Sequence, residues 1–265
     1  MDLLSIFDWK AIVALLALIL SQLPPIRQMI KGKRLRMSVA DLAQFTHVFG
    51  NTNLSLWIDL ENNGAKTITI SRINCLLKRE EQTIQTLTAR TFWLTESLST
   101  EKPLELPLPE IALKPGDRWS GFLHFWDTNA WSKAIQGKIK SIIVRMRDDI
   151  ALKAAIRDKE MEAIPSTIRP LVEADSSLMQ EINDVLRSLK KIEEGDYEII
   201  VAAYESNAPS PLKSLGFDFT FFETDIKDIF EDTADYKYGF GVHLPSSKTK
   251  FIQIYLRAMR EKKEL

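Results

Sequence analysis

Between Ala11 and Ile26 the chain reads AIVALLALILSQLPPI, sixteen residues without a charge. A run of this kind has to be buried, in protein or in lipid, and it restricts the fold more than any other stretch. As a helix rising about 1.5 Å per residue it reaches roughly 24 Å, a little short of a hydrocarbon core of about 30 Å. Lys10 and Arg27 can snorkel to make up the deficit, the preceding LLSIF adds apolar length, and Trp9 stands where an interfacial aromatic belongs. Pro24-Pro25 would end the helix near the interface, since neither donates a helical hydrogen bond. Two alternatives compete. A cleavable signal peptide needs a basic start and a small-x-small cleavage site, whereas Asp2 and Asp8 outnumber Lys10 and Ser-Gln-Leu-Pro-Pro-Ile follows Leu20. A buried core helix could absorb Ala11 to Leu20, but Arg27, Lys31, Lys33, Arg34 and Arg36 follow with no acid before Asp41. We therefore expect a transmembrane anchor over residues 11–26, with a basic juxtamembrane segment to residue 36.

The expected partners follow from the same flanks. The span meets the lipid bilayer, and Arg27, Lys31, Lys33, Arg34 and Arg36 meet anionic headgroups. Five positive charges after the span and one before it place the long C-terminal part in the cytoplasm, as a single-pass protein of the inner membrane. Residues 1–36 hold a net +4 within a chain whose total is −1, so the remainder is mildly acidic. Such a body lacks the basic stripe that nucleic acid would require. The lone cysteine, Cys75, lies in the apolar run Ile73–Leu77 and reads as a buried core thiol.

Beyond residue 36 the pattern is β. Leu54, Leu56, Ile58 and Leu60 alternate with Ser55, Trp57 and Asp59, and Asn62-Asn63-Gly64 forms a turn before a strand carrying Ile68 and Ile70. Past Ser71-Arg72 the apolar parity shifts to Ile73, Cys75 and Leu77, which calls for a β-bulge or a strand crossing between sheets. Further strands are expected over 83–93, 104–108, 119–126 and 140–147, with a turn at Lys114-Pro115-Gly116-Asp117. Short strands separated by turn signals suggest a two-sheet sandwich. The pattern Leu56-x-Ile58-x-Leu60-x-Asn62-x-Gly64, then an Ile-rich strand, then Leu113-x-Pro115-Gly116 before an aromatic strand, resembles immunoglobulin-like domains of the CARDB type over about residues 50–127. That resemblance implies a scaffold or interaction module without catalytic residues, and it pulls toward an envelope-facing location.

The second half mixes elements. Helical spacing is expected over 148–163 and 176–194, with Leu178, Ile182, Val185, Leu186, Leu189 and Ile192 on one face, Asp175 or Ser176 as N-cap and Gly195 as the stop. Strands are expected over 197–204, 217–222 and 251–256, a short helix over 224–230 capped by Thr224, and a charged tail over 257–265. These strands belong either to a separate α+β domain or to a sandwich completed after a helical insertion, and we take the former. The expected fold is mainly β with α (α+β): anchor and basic segment over 1–36, an immunoglobulin-like β-sandwich over 37–150, and a smaller α+β domain over 151–265.

Chemistry is sparse. His47, His124 and His243 lack metal-ligand spacing, and no phosphate loop or nucleophile elbow is present. No catalytic, cofactor-binding or metal-ligating residue is therefore assigned, and no cofactor. The acidic cluster Glu223, Asp225, Asp228, Glu231, Asp232 and Asp235 is the best candidate for a metal-dependent hydrolase, and reads more simply as an exposed helix face. Trp119, Trp126 and Trp131, with Phe122 and Phe125, concentrate aromatic surface; Trp57 and Trp126 could form a binding face, although core packing is the simpler reading. The expected function is a membrane-anchored binding or scaffold body acting through an unknown protein partner or a ligand, one version being an accessory or effector of a bacterial stress or defence system. The alternatives are a tethered hydrolase and an envelope-facing sandwich module.

Overall fold

The computed structural model describes residues 13–18, 32–93, 104–246 and 251–259. Its main strands run antiparallel to their neighbours: β1 (Leu35–Val48), β2 (Asn51–Asn62), β3 (Ile68–Arg79), β4 (Gln82–Trp93), β7 (Arg118–Trp126), β8 (Gly195–Glu205) and β9 (Lys213–Phe221), with short β10 (Ile252–Tyr255) and β11 (Arg257–Ala258) at the end. The sheet order is β10-β1-β2-β7-β4-β3-β8-β9-β11. Because β10 and β11 are successive pieces of one segment, the two ends of the sheet meet and the sheet nearly closes on itself. Short β5 (Glu105–Pro107) and β6 (Ile111–Leu113) pair with β4 and β3, where those two strands diverge.

Closure follows from the apolar alternation. Inward residues of every stave join one core: Phe45 from β1, Leu54 to Leu60 from β2, Ile73, Cys75 and Leu77 from β3, Leu87 from β4, Leu123 and Phe125 from β7, Ile199 and Val201 from β8, and Phe217, Phe219 and Phe221 from β9. A cylinder of about eight strands has an interior just wide enough for side chains to fill. Three of its aromatic rings interlock, with Phe45 5.5 Å from Phe219 and 4.9 Å from Phe221. Gly121 leaves room on the inner wall for the Trp119 indole, whose Cη2 would lie 2.6 Å from a Cβ there.

Both halves of the chain build this wall. Strand β8 pairs with β3 from Ile70 opposite Glu205 to Lys78 opposite Glu198, so the strands after residue 195 complete the sheet begun at residue 35. The expected sandwich with a second β-containing unit is thus corrected to one nearly closed sheet. The parity shift after Ser71-Arg72 is a register break in the β3–β8 pairing, between Ile70 and Arg72.

The helices described after β7 are α1 (Lys133–Glu160), α2 (Ser176–Leu189) and α3 (Glu223–Ile229), with 3₁₀ segments at Ser166–Ile168 and Glu231–Tyr238. Topology puts the β1–β2 and β3–β4 turns, the end of β7, the start of β8 and the end of β9 at the same end of the cylinder. Every helical insertion therefore leaves and re-enters there, forming a cap. Its own small core joins Phe49 of the β1–β2 turn to Ile139, Ile142 and Met146 of α1, to Leu178, Ile182, Val185 and Leu189 of α2, and to Tyr236. The stretch 140–147, expected as a strand, lies inside α1: Ile139, Ile142 and Met146 keep helical spacing on the buried side, and Ser132 Oγ caps the helix by accepting from the Ile135 N–H. Helix α2 stops at Leu189, five residues before the expected end, because Ile192 is drawn into the barrel core.

The expected anchor is corrected as well. Of residues 11–26 only 13–18 are described, a six-residue helix with exposed side chains, and the rest lies outside the described residues. Among the described residues no helix is long and apolar enough to cross a membrane. The transmembrane helix, and with it the single-pass inner-membrane location, is not supported. Of the basic cluster, Arg27 and Lys31 lie outside the described residues, Lys33 pairs with Glu205, and Arg36 lies 3.6 Å from Glu61.

Candidate functional site

The sequence candidates scatter across the fold. His47 is the last inward residue of β1. Its Nδ1 accepts the Gly50 N–H at 3.0 Å, which leaves the ring proton on Nε2, where it is donated to Asp232 Oδ1 at 3.1 Å. Phe230 stacks on the imidazole at 4.5 Å, and Lys190 Nζ lies 4.5 Å from the centre of the Phe230 ring. With both nitrogens engaged and the residue buried, His47 has no lone pair for a substrate proton; it fastens the cap to the wall.

His124 sits on the outer face of β7, sharing a 2.7 Å hydrogen bond between Nδ1 and Ser55 Oγ. Burial pushes its pKa below the ordinary value, against an opposing pull from Glu105. His243 packs near Gly239, beyond the second 3₁₀ segment. Cys75 is fully buried, as expected, and burial pushes its thiol pKa far up.

The acidic cluster does not converge. Asp225 Oδ2 accepts the Phe222 N–H at 2.8 Å, making Phe222, and not the expected Thr224, the residue that opens α3. Asp232 is committed to His47. Among the described residues, no group of three or more His, Cys, Asp or Glu side chains is placed to hold a metal ion.

Trp119 packs against the barrel core, and Trp131 against the cap core. Trp57, Phe122 and Trp126 face outward with His124, where Trp93 stacks on Phe122 at 4.9 Å. All are half-buried, and they form an aromatic face on the outside of the wall.

Two concave features lie at the seam. The closing segment crosses it diagonally: Ile252–Tyr255 pairs with Phe45–Leu42 of β1, the chain passes Leu256, whose N–H donates to the Asp41 carbonyl, and Arg257–Ala258 pairs with Asp218–Phe217 of β9. A diagonal cannot fill a gap between two strands, so a wedge remains on each side. One, of about 420 Å³, lies between β9 and β10 and is bordered by Phe219, Thr220, Gln253 and Tyr255. The other, of about 720 Å³, lies between the first half of β1 and the start of β9.

This larger wedge is mostly apolar, with Met37 and Val39 from β1, Ile200 from β8, Leu212, Leu215 and Phe217 at β9, and Ala258 and Met259 from the closing segment. Met37 and Phe217 also belong to the barrel core, so the wedge borders the interior layer. Four polar side chains, Ser38, Glu198, Lys213 and Ser214, share the lining, and Glu198 lies 3.7 Å from Lys78. Along this stretch no described strand pairs with the seam side of Leu35–Ala40, and Lys213–Gly216, paired with β8 on its other side, accepts the Met259 N–H at the Gly216 carbonyl on the seam side. Both strands thus present main-chain donors and acceptors at the rim.

These residues escaped the sequence reading. Ser214-Leu215-Gly216 reads as a loop, and residues 257–265 as a charged tail. The alternation of Leu35, Met37 and Val39 was the available signal for the β1 wall. Comparison with protein-family models, with curated proteins and with solved structures gives no match, so the site stands on its geometry alone.

Proposed function

We infer that the protein is a binding module whose seam wedge holds an amphipathic small molecule. The observation that carries this reading is the larger break in the wall at the seam, lined by apolar side chains and a few polar ones. A volume of about 720 Å³ falls within the range of ligand sites, roughly 300–1,000 Å³, and such sites pair apolar walls with sparse polar groups. The apolar body of the ligand lies against Met37, Ile200 and Phe217. Its polar end meets the Ser38 and Ser214 hydroxyls, Lys213 or Glu198, together with the strand edges.

The test is titration with 1-anilinonaphthalene-8-sulfonate, whose anionic head and aromatic body match this lining. Saturable binding is expected, and Ser38→Trp or Ser214→Trp should abolish it by filling the wedge from the rim. Trp126→Ala, on the outer aromatic face, should leave it unchanged. Equal binding by the Trp-filled variants, at unchanged melting temperature, would contradict the assignment.

A further inference from the structure

Helix α1 is longer than the cap requires. Its 28 residues reach about 42 Å, yet its buried residues, Ile139, Ile142 and Met146, all lie in its first half. The second half is held on one side only, where Arg157 donates to the Pro170 carbonyl and Asp149 accepts the Asp175 N–H. Its other side is open, with Leu152 65% and Ile156 52% exposed. Isolated helical turns are marginal in water, and an exposed apolar stripe on such a stretch calls for a partner.

The order of residues on that side specifies the partner. Arg147, Asp148, Ala151, Leu152, Ala155, Ile156, Lys159 and Glu160 are all exposed, at alternating spacings of one and three along the helix. A two-fold axis between Lys153 and Ala154 sets two copies antiparallel. Arg147 then faces Glu160 of the other copy, Asp148 faces Lys159, Ala151 faces Ile156, and Leu152 faces Ala155. Each large apolar side chain meets a small one, and each charge at the ends meets its opposite.

The geometry points to a homodimer formed by antiparallel pairing of the second half of α1 with the same segment of a second copy. Such a contact is isologous, as a two-fold dimer requires, and the alanines let the helix axes approach to about 8 Å. Eight side chains per copy make an interface below the ~1,200 Å² of a stable complex, so the dimer forms and dissociates with concentration. It lies on the cap, away from the seam wedge, and stands independently of the ligand reading.

Sedimentation equilibrium of the full chain tests it. The average mass should rise with concentration to twice that of the monomer. Asp148→Lys alone sets lysine against Lys159 at both symmetric contacts, and Lys159→Asp alone sets aspartate against Asp148. Each should raise the dissociation midpoint about tenfold. Mixing the two variants in equal amounts makes every such pair opposite in charge and should restore association to the wild-type midpoint. A mass fixed at the monomer value, single variants that associate like the wild type, or a mixture that fails to recover would each overturn the proposal.

Discussion

The seating of the helical cap on the barrel can be probed at a single glycine. Gly50, in the β1–β2 turn, has φ +88°, and a Cβ built there would lie 2.6 Å from the Leu186 carbonyl oxygen of α2. Gly50→Ala therefore carries two costs. The left-handed backbone costs a side-chain-bearing residue about 1–2 kcal/mol, offset by several tenths from the stiffer unfolded chain. The clash is with main chain, which no rotamer change relieves, so α2 must shift and loosen its contacts, adding about 2 kcal/mol. Gly116 supplies the control, because its φ is +85° and nothing lies within 4 Å of its Cβ position. Gly116→Ala should cost about 1 kcal/mol and Gly50→Ala about 3 kcal/mol in urea denaturation, the difference being the α2 contact. Amide exchange should show faster opening of α2 in Gly50→Ala alone. Equal losses in the two variants would refute the seating of α2 against this turn.

His47→Ala should destabilise the protein by about 2–3 kcal/mol, measured by denaturant midpoint, because it leaves the buried Asp232 carboxylate without its donor; a loss under 1 kcal/mol would contradict the fastening role. For His124, whose pKa is lowered by burial, the unfolded chain takes up protons that the folded chain refuses. Stability should then fall as pH drops below the unfolded value of about 6.5, and His243, also lowered chiefly by burial, acts in the same direction. The urea midpoint should fall between pH 7.5 and pH 5, less so in His124→Gln, and equal falls in the two proteins would count against a contribution from His124. Cys75 should resist a thiol reagent such as DTNB in the folded protein and react fully in urea, since it is buried and its thiol stays protonated; rapid native labelling would contradict its place in the core.

What the sequence disclosed was local. The alternation of β2 and the register break at Ser71 follow from side-chain period, which one strand carries by itself. The amphipathic face of α2 with Asp175 as its N-cap is equally self-contained. The turn after β2 was legible too, and it closes through the Asn62 side chain accepting the Gly64 N–H. The stretch 140–147 misled because Ile142, Ile143 and Val144 are β-branched, and only the spacing from Ile139 to Met146 reveals the helix. Closure was not legible, because it depends on β3 meeting β8 across more than a hundred residues, a pairing that no local pattern specifies. The wedge is a consequence of that closure: its lining comes from β1, β8, β9 and the final segment, each unremarkable until the ends of the sheet meet.

Amide hydrogen exchange of the full chain, with and without saturating 1-anilinonaphthalene-8-sulfonate, tests the seam assignment most directly. A ligand in the wedge should slow exchange at the rim amides of Leu35–Ala40 and Lys213–Gly216, and leave β2, β7 and β4 unchanged. Protection gained on the β2–β7–β4 face, or no gain at either rim, would contradict it.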